Sequence, residues 1–311
     1  MMKFLCGFIL LSVFGVVQAA TQCQIDLNSD GVCDHYAVSS SAEDETFSNI
    51  TIDIGGSDKK ITGGFELGSG GLSEGYIPGD FSLLIDYYPH NTLITKYDFR
   101  WDRSLNDFVL YKMSGWEEPD RDEKYSISDE SVPGEDRIPR EFNVRRIECC
   151  VKFSQFSGNG PSVKNMSESV KLAEINKDFK YVLKKLPEGE KGGLFLQSGT
   201  SRERISIPKD LVYEMTLIVG DNNVGAINDY AYYLYRNKES ALAVLLLKKI
   251  HQKYPERVVA ILNLADAYWD LGMKEDACPL YASYTDKMNA LGKSSRIPAS
   301  VKDKNYCIKR G

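Results

Sequence analysis

The sequence predicts an α+β protein, an N-terminal antiparallel β-rich domain followed by a C-terminal domain of α-helical hairpins, and three observations carry that prediction. Apolar residues recur with period two from Thr46 to about Val151, and with a helical period beyond Gly158-Asn-Gly-Pro161. Between Val259 and Tyr284, large and small apolar residues (Ile261, Leu264, Ala265, Tyr268, Ala277, Tyr281, Tyr284) have the spacing of two short helices broken at Gly272. The N-terminal residues read as an export signal, which fixes how the cysteines are to be understood.

That signal spans residues 1–20. Lys3 precedes an apolar run from Phe4 to Val17, and small residues follow at Ala19 and Ala20. The run is too short for a membrane span, and no later stretch approaches the ~20 apolar residues one requires. The mature chain is therefore expected to be periplasmic or secreted, with no integral membrane segment. About 290 residues remain, enough for two domains and a sizeable core. The net charge of −6 and a pI near 5.3, with no basic cluster clear of neighbouring acids, argue against nucleic acid as a partner.

Six cysteines follow the signal: Cys23, Cys33, Cys149, Cys150, Cys278 and Cys307. An even count in an exported chain points to disulfides before metal or catalysis. Cys278 and Cys307 are expected to pair and clamp the tail on the helical hairpins. Adjacent cysteines rarely bond to each other, because a disulfide prefers Cα atoms ~5.5 Å apart. Cys149 and Cys150 are accordingly expected to take Cys23 and Cys33, in either order.

The β-rich domain is expected over 21–158. It opens on Asp26-Leu-Asn28-Ser-Asp30-Gly31-Val-Cys-Asp34, where oxygen-bearing side chains alternate around a glycine as in calcium loops. The stretch resembles the Asp-x-Asn-x-Asp-Gly-x-x-Asp loop of exported bacterial proteins, and that resemblance implies calcium held by Asp26, Asn28, Asp30 and Asp34. It departs from an EF-hand, since Ala37 stands where a bidentate Glu belongs. Ile50, Ile52 and Ile54 alternate as a strand. Tyr97–Trp101 and Phe108–Met113 form a hairpin that sets Phe99, Trp101, Phe108 and Leu110 on one face. A last strand runs from Phe142 to Phe153. The charged, proline-bearing residues 115–140 read as a long loop, and the glycine-rich run from Gly63 to Gly79 as a flexible one.

A helical connector is expected over 159–223. Its first helix has capping-box spacing at Asn165-Met-Ser-Glu168 and an apolar stripe through Val170, Phe179 and Val182; a second follows Pro208. Over 224–311 the pattern from Ile261 to Tyr284 resembles a tetratricopeptide repeat, whose small residues let antiparallel helices approach. Tyr230-Ala231, Leu234, Ala241 and Leu245 give a degenerate upstream copy, with Ala241 and Ala277 36 residues apart and a turn, Arg236–Ser240, that reads as shortened. The family period is about 34. The tail from Ile297 to Ile308 is expected to cap the repeats.

The resemblance implies a protein-binding scaffold. Tyr230, Tyr232, Tyr233 and Tyr235 crowd one helix and Tyr268 and Trp269 the other; adjacent residues cannot share a helix face, so some are core and others exposed. Tyr232, Tyr235, Asp266 and Trp269 are expected to line a partner-binding groove, since Tyr and Trp anchor interfaces with large rigid surfaces. The layout is similar to exported bacterial immunity proteins that neutralise a secreted toxin, with an envelope assembly or maintenance adaptor as a second reading. A hydrolase is a third: Gly71-Leu-Ser73-Glu-Gly75 spells a nucleophile elbow, but the strand before and helix after that an elbow needs are not expected there.

Overall fold

The computed structural model describes residues 25–40, 47–66, 69–75, 77, 79–87, 92–118, 134–158, 163–185, 195–198, 201–204, 208–304 and 307. The expected signal and Cys23 lie outside them. The chain is α+β, with antiparallel sheets first and helices after. β1 (His35–Ser40), β2 (Phe47–Asp53) and β3 (Lys60–Glu66) form a three-stranded sheet in that order. β4 (Ser69–Glu74), β5 (Asp80–Tyr87), β6 (Thr92–Asp102), β7 (Asp107–Glu118) and β8 (Arg140–Lys152) form a five-stranded meander.

The expected hairpin is present: Phe99 pairs with Leu110 and Trp101 with Phe108. Its turn is held by Asp102 Oδ1, which accepts from the Ser104 and Leu105 amides at 2.8 and 3.1 Å. Strand alternation then gives β6 two unlike faces. Tyr97 and Phe99 join a core with Ile50 and Ile52 of the smaller sheet. Phe81, Phe99, Phe108 and Phe153 interlock there at centroid distances of 4.6 to 5.1 Å, mostly edge to face. Lys96, Asp98 and Arg100 point the other way, toward the helices.

Two loop expectations are corrected. Residues 115–118 belong to β7, where Trp116 is buried and pairs with Ile94. The glycine-rich run contains strands β3 and β4. Gly63 answers to packing: a Cβ there would lie 2.5 Å from the Phe153 carbonyl oxygen and 2.8 Å from its ring.

Among the helices, α1 (Glu168–Lys185) and α2 (Lys209–Ile218) follow the sheets, with a small antiparallel hairpin, β9 (Phe195–Ser198) and β10 (Ser201–Arg204), between them. Asn165 does not cap α1. It forms a bridge to Ile147, and its Oδ1 accepts from Arg145 Nε at 3.1 Å, so the sheet claims it before the helix begins. Ile175 and Phe179 are buried, whereas Val170 is 49% exposed.

α3 (Val224–Arg236), α4 (Ser240–Lys253), α5 (Val258–Asp270) and α6 (Lys274–Ala290) form two consecutive hairpins, and α7 (Ala299–Lys302) follows. Each helix of the second pair begins 34 residues after its counterpart, Val224 to Val258 and Ser240 to Lys274. This corrects the sequence alignment. Ala277 corresponds to buried Ala243, not to half-exposed Ala241, and the first turn is as long as the second. The signal was hidden because Lys238, at φ 69°, takes the left-handed conformation that Gly272 takes at φ 77°.

Cys278 and Cys307 are bonded with Cα atoms 4.6 Å apart, and Ile297, Val301 and Cys307 join the helical core, so the tail is clamped as expected. Cys149 and Cys150 are bonded to each other, contrary to expectation; the peptide between them is cis and brings their Cα atoms to 3.2 Å. Cys33 is disulfide-bonded, and to neither of these. Removing Cys278–Cys307 in a Cys278→Ala/Cys307→Ala variant is expected to cost about 3–4 kcal/mol, from the chain entropy of a 29-residue separation, read as a lower urea midpoint with an equal or steeper slope, since the uncrosslinked unfolded chain exposes more surface.

Candidate functional site

The two hairpins place the four expected groove residues at matching positions. Tyr232 and Asp266 occupy equivalent positions on α3 and α5, and so do Tyr235 and Trp269, each pair 34 residues apart. Both helices therefore offer the same face, two positions deep. Tyr230 and Tyr268 turn into the core, as the spacing requires, while Tyr232 is 37% exposed and Tyr235, Asp266 and Trp269 are half-buried.

These side chains are oriented by neighbours. Tyr281 of α6 donates its hydroxyl to Asp266 Oδ1 at 2.6 Å, and its ring meets Trp269 edge to face at 6.0 Å. Lys304 follows α7 and lies over Trp269 and Tyr281, 4.9 and 4.5 Å from their centroids, and 3.9 Å from Asp266. On α3, Arg236 lies over Tyr232 at 5.9 Å. Burial pushes the Asp266 carboxyl up, against the Tyr281 hydrogen bond and Lys304. Burial likewise raises the Tyr235 phenol, with Asp266 and Asp270 adding to it. The face combines rigid aromatic area with carboxylates, a composition suited to gripping a polypeptide.

The calcium-like loop is arranged differently from a shared ion site. Asp26 accepts from the Asp30 and Gly31 amides at 3.2 and 3.0 Å. Asn28 accepts from the Asp30 amide at 3.0 Å and donates to its carboxylate at 2.9 Å, and Asp30 accepts from Val32 at 2.8 Å. Buried Asp34 spends one oxygen on the Leu27 amide at 2.7 Å and the other on Gly55 at 2.8 Å. Among the described residues no three His, Cys, Asp or Glu side chains converge as metal ligands. Calcium there, which we keep as a proposal, would use the lone pairs of Asp26, Asn28 and Asp30 left over from the loop's own amides. Ser73 lies within β4, opposite Ser82, with β5 next in the chain in place of the helix an elbow requires.

The largest concentration of charge was not anticipated from the sequence. On the helix-facing side of the meander, Ser82, Asp98, Lys112 and Arg146 form one row across β5, β6, β7 and β8. Lys112 is fully buried, 3.1 Å from Asp98 and in direct contact with Asp210 of α2. Lys96 reaches Asp98 at 2.8 Å and Asp210 at 3.4 Å. Arg146 grips both oxygens of Glu214 at 2.7 Å and reaches Asp178 of α1 at 2.7 Å. Burial alone would raise Asp210, but Lys112 and Lys96 outweigh it and hold the carboxyl below its ordinary value. Two signals were available in the sequence: the charged half of the β6 alternation, and Asp210 and Glu214 one turn apart on an otherwise apolar helix.

Beside this row, Arg100 Nε and one terminal nitrogen donate to Asp80 at 2.9 and 3.3 Å, and Tyr111 donates at 3.0 Å. No family model, curated protein or solved structure matches this chain.

Burial pushes Asp80 up to about 6, against the Arg100 and Tyr111 hydrogen bonds. The folded protein therefore keeps this proton to higher pH than the unfolded chain, whose carboxyl titrates near 3.8. Asp80 thus makes folding less favourable as pH rises from about 4 through 6, while Asp210 contributes stability that is present above about 4 and lost below it. Wild type is expected to lose about 3 kcal/mol relative to Asp80→Asn between pH 4 and 7, measured by urea unfolding at each pH. A constant difference would contradict the assignment.

Proposed function

We propose that this is an exported, non-catalytic protein-binding protein that holds its partner on the shared face of α3 and α5. The observation that supports it is the placement of Tyr232 and Asp266, and of Tyr235 and Trp269, at equivalent positions of α3 and α5, all four partly exposed on a two-hairpin scaffold. Repeated helical hairpins create extended binding surfaces, and Tyr and Trp contribute large contact area at little entropic cost. Disulfides in the chain, and the absence among the described residues of a helix able to cross a membrane, suit an exported protein. Within this class we favour an immunity role, in which the bound partner is a secreted toxin.

A Tyr232→Ala/Trp269→Ala variant is expected to weaken partner capture from an envelope extract by about 30-fold or more, the loss typical of interface anchors. Because Trp269 packs on Tyr281, the variant should also melt lower, so capture is compared well below its transition and checked against Tyr232→Ala alone, which is expected to weaken capture while melting within a few degrees of wild type. Equal capture by the double variant and wild type would remove the groove, and an activity lost on Ser73→Ala would replace binding with hydrolysis.

A further inference from the structure

A second concave site lies at the opposite, β-rich part of the molecule. Three turns converge there: the Asp26–Asp34 loop, the turn between β2 and β3, and the turn between β6 and β7. They enclose a cleft of about 420 Å³, within the ~300–1,000 Å³ range of small-molecule pockets. Its walls are fixed before any ligand arrives. Asp34 ties the first turn to the second through the Leu27 and Gly55 amides, Cys33 is disulfide-bonded, and Asp102 closes the third turn on its own amides.

The lining has a definite chemistry. Trp101 supplies an aromatic surface, Asn28 and Asn106 supply amides, Asp30 a carboxylate, and Lys59 and Arg103 two cations. The Lys59 ammonium lies 5.2 Å from the Trp101 centroid; burial lowers its affinity for its proton while Asp107 acts the other way, and an incoming anion would add to that stabilisation. An apolar ligand would cover these polar groups without offering them partners. A bare anion would leave Trp101 unused. A ring with an apolar C–H face, a rim of hydroxyls and one negative charge uses all of them.

We propose that this cleft binds a sugar ring carrying an acidic group, with Trp101 against the ring face, Asn28, Asn106 and Asp30 to its hydroxyls, and Lys59 and Arg103 to its charge. The site is separate from the α3–α5 face, and neither depends on the other.

Calorimetric titration of the full mature chain with glucuronic acid tests the proposal, with glucose 6-phosphate, glucose, acetate and inorganic phosphate as the other arms. Glucuronic acid is expected to bind with a Kd near 1 mM or tighter, and glucose and acetate at least tenfold more weakly. Glucose 6-phosphate binding alongside glucuronic acid would show that the acidic group is read as charge; its failure would restrict the site to carboxylates. Arg103 is exposed on a turn, so Arg103→Ala should fold normally and lose about tenfold toward glucuronic acid while leaving glucose unchanged. Trp101→Phe should weaken both sugars. Saturable binding of acetate or phosphate as strong as that of glucuronic acid, no binding of either charged sugar, or equal binding by Arg103→Ala and wild type would each overturn the proposal.

Discussion

Lys112 lies fully buried between the carboxylates of Asp98 and Asp210, and an ammonium in that position constrains everything packed around it. Taking such an ion out of water costs several kcal/mol, returned only when partners stand at hydrogen-bonding distance on several sides. Asp98 comes from the sheet, and Asp210 and Glu214 from a helix remote in sequence. The meander's register brings Asp98 and Arg146 to either side of Lys112, while α2 contributes Asp210 and Glu214 one helical turn apart. A slip of one residue in β6 or β7 would turn its charged side chains into the aromatic core and its aromatics toward the carboxylates. The ionic row thus specifies strand register and helix placement together.

The consequence reaches the shared face of α3 and α5. α2 is held on the sheet by these ion pairs and by Tyr213 stacked on Phe142 at 4.7 Å, and its apolar side, Leu211, Val212 and Met215, joins the core shared by α3 to α6. The segment expected as a connector is therefore a joint. It fixes the first helical hairpin relative to the β-rich half, and the tail, clamped by Cys278–Cys307, closes the far end and sets Lys304 on Trp269 and Tyr281. Between these two anchors the faces of α3 and α5 are presented without freedom to splay.

Much of this was legible in the sequence, for reasons that differ by element. Period two exposed β6 and β7 because one face of each is aromatic, and the pairing of Trp101 with Phe108 followed directly. Small residues at Ala265 and Ala277 marked the second hairpin. The first was misaligned by two residues because Lys238 holds a conformation usually given to glycine, which removed the expected punctuation. Strands β3 and β4 were concealed by their own glycines, required at Gly63 by the approach of Phe153. The Cys149–Cys150 bridge was excluded on the usual Cα spacing, which assumes a trans peptide. The exposure of Tyr232 and the burial of Tyr230 and Tyr268 were legible because helix periodicity separates exposed from buried positions. The ionic row was not, since a charged strand face reads as solvent-facing until a helix from elsewhere in the chain covers it.

Urea unfolding of Asp210→Ala in a Trp269→Phe background, followed in parallel by helical circular dichroism and by the fluorescence of Trp101 and Trp116 in the sheet, tests most directly whether buried charge joins the two halves. The account predicts a loss of about 3–5 kcal/mol, the cost of leaving a buried cation without its partner, and separation of two signals that coincide in the Trp269→Phe parent. A variant within about 1 kcal/mol of that parent, with both signals still superimposed, would contradict it, because so small a change is what an exposed pair contributes.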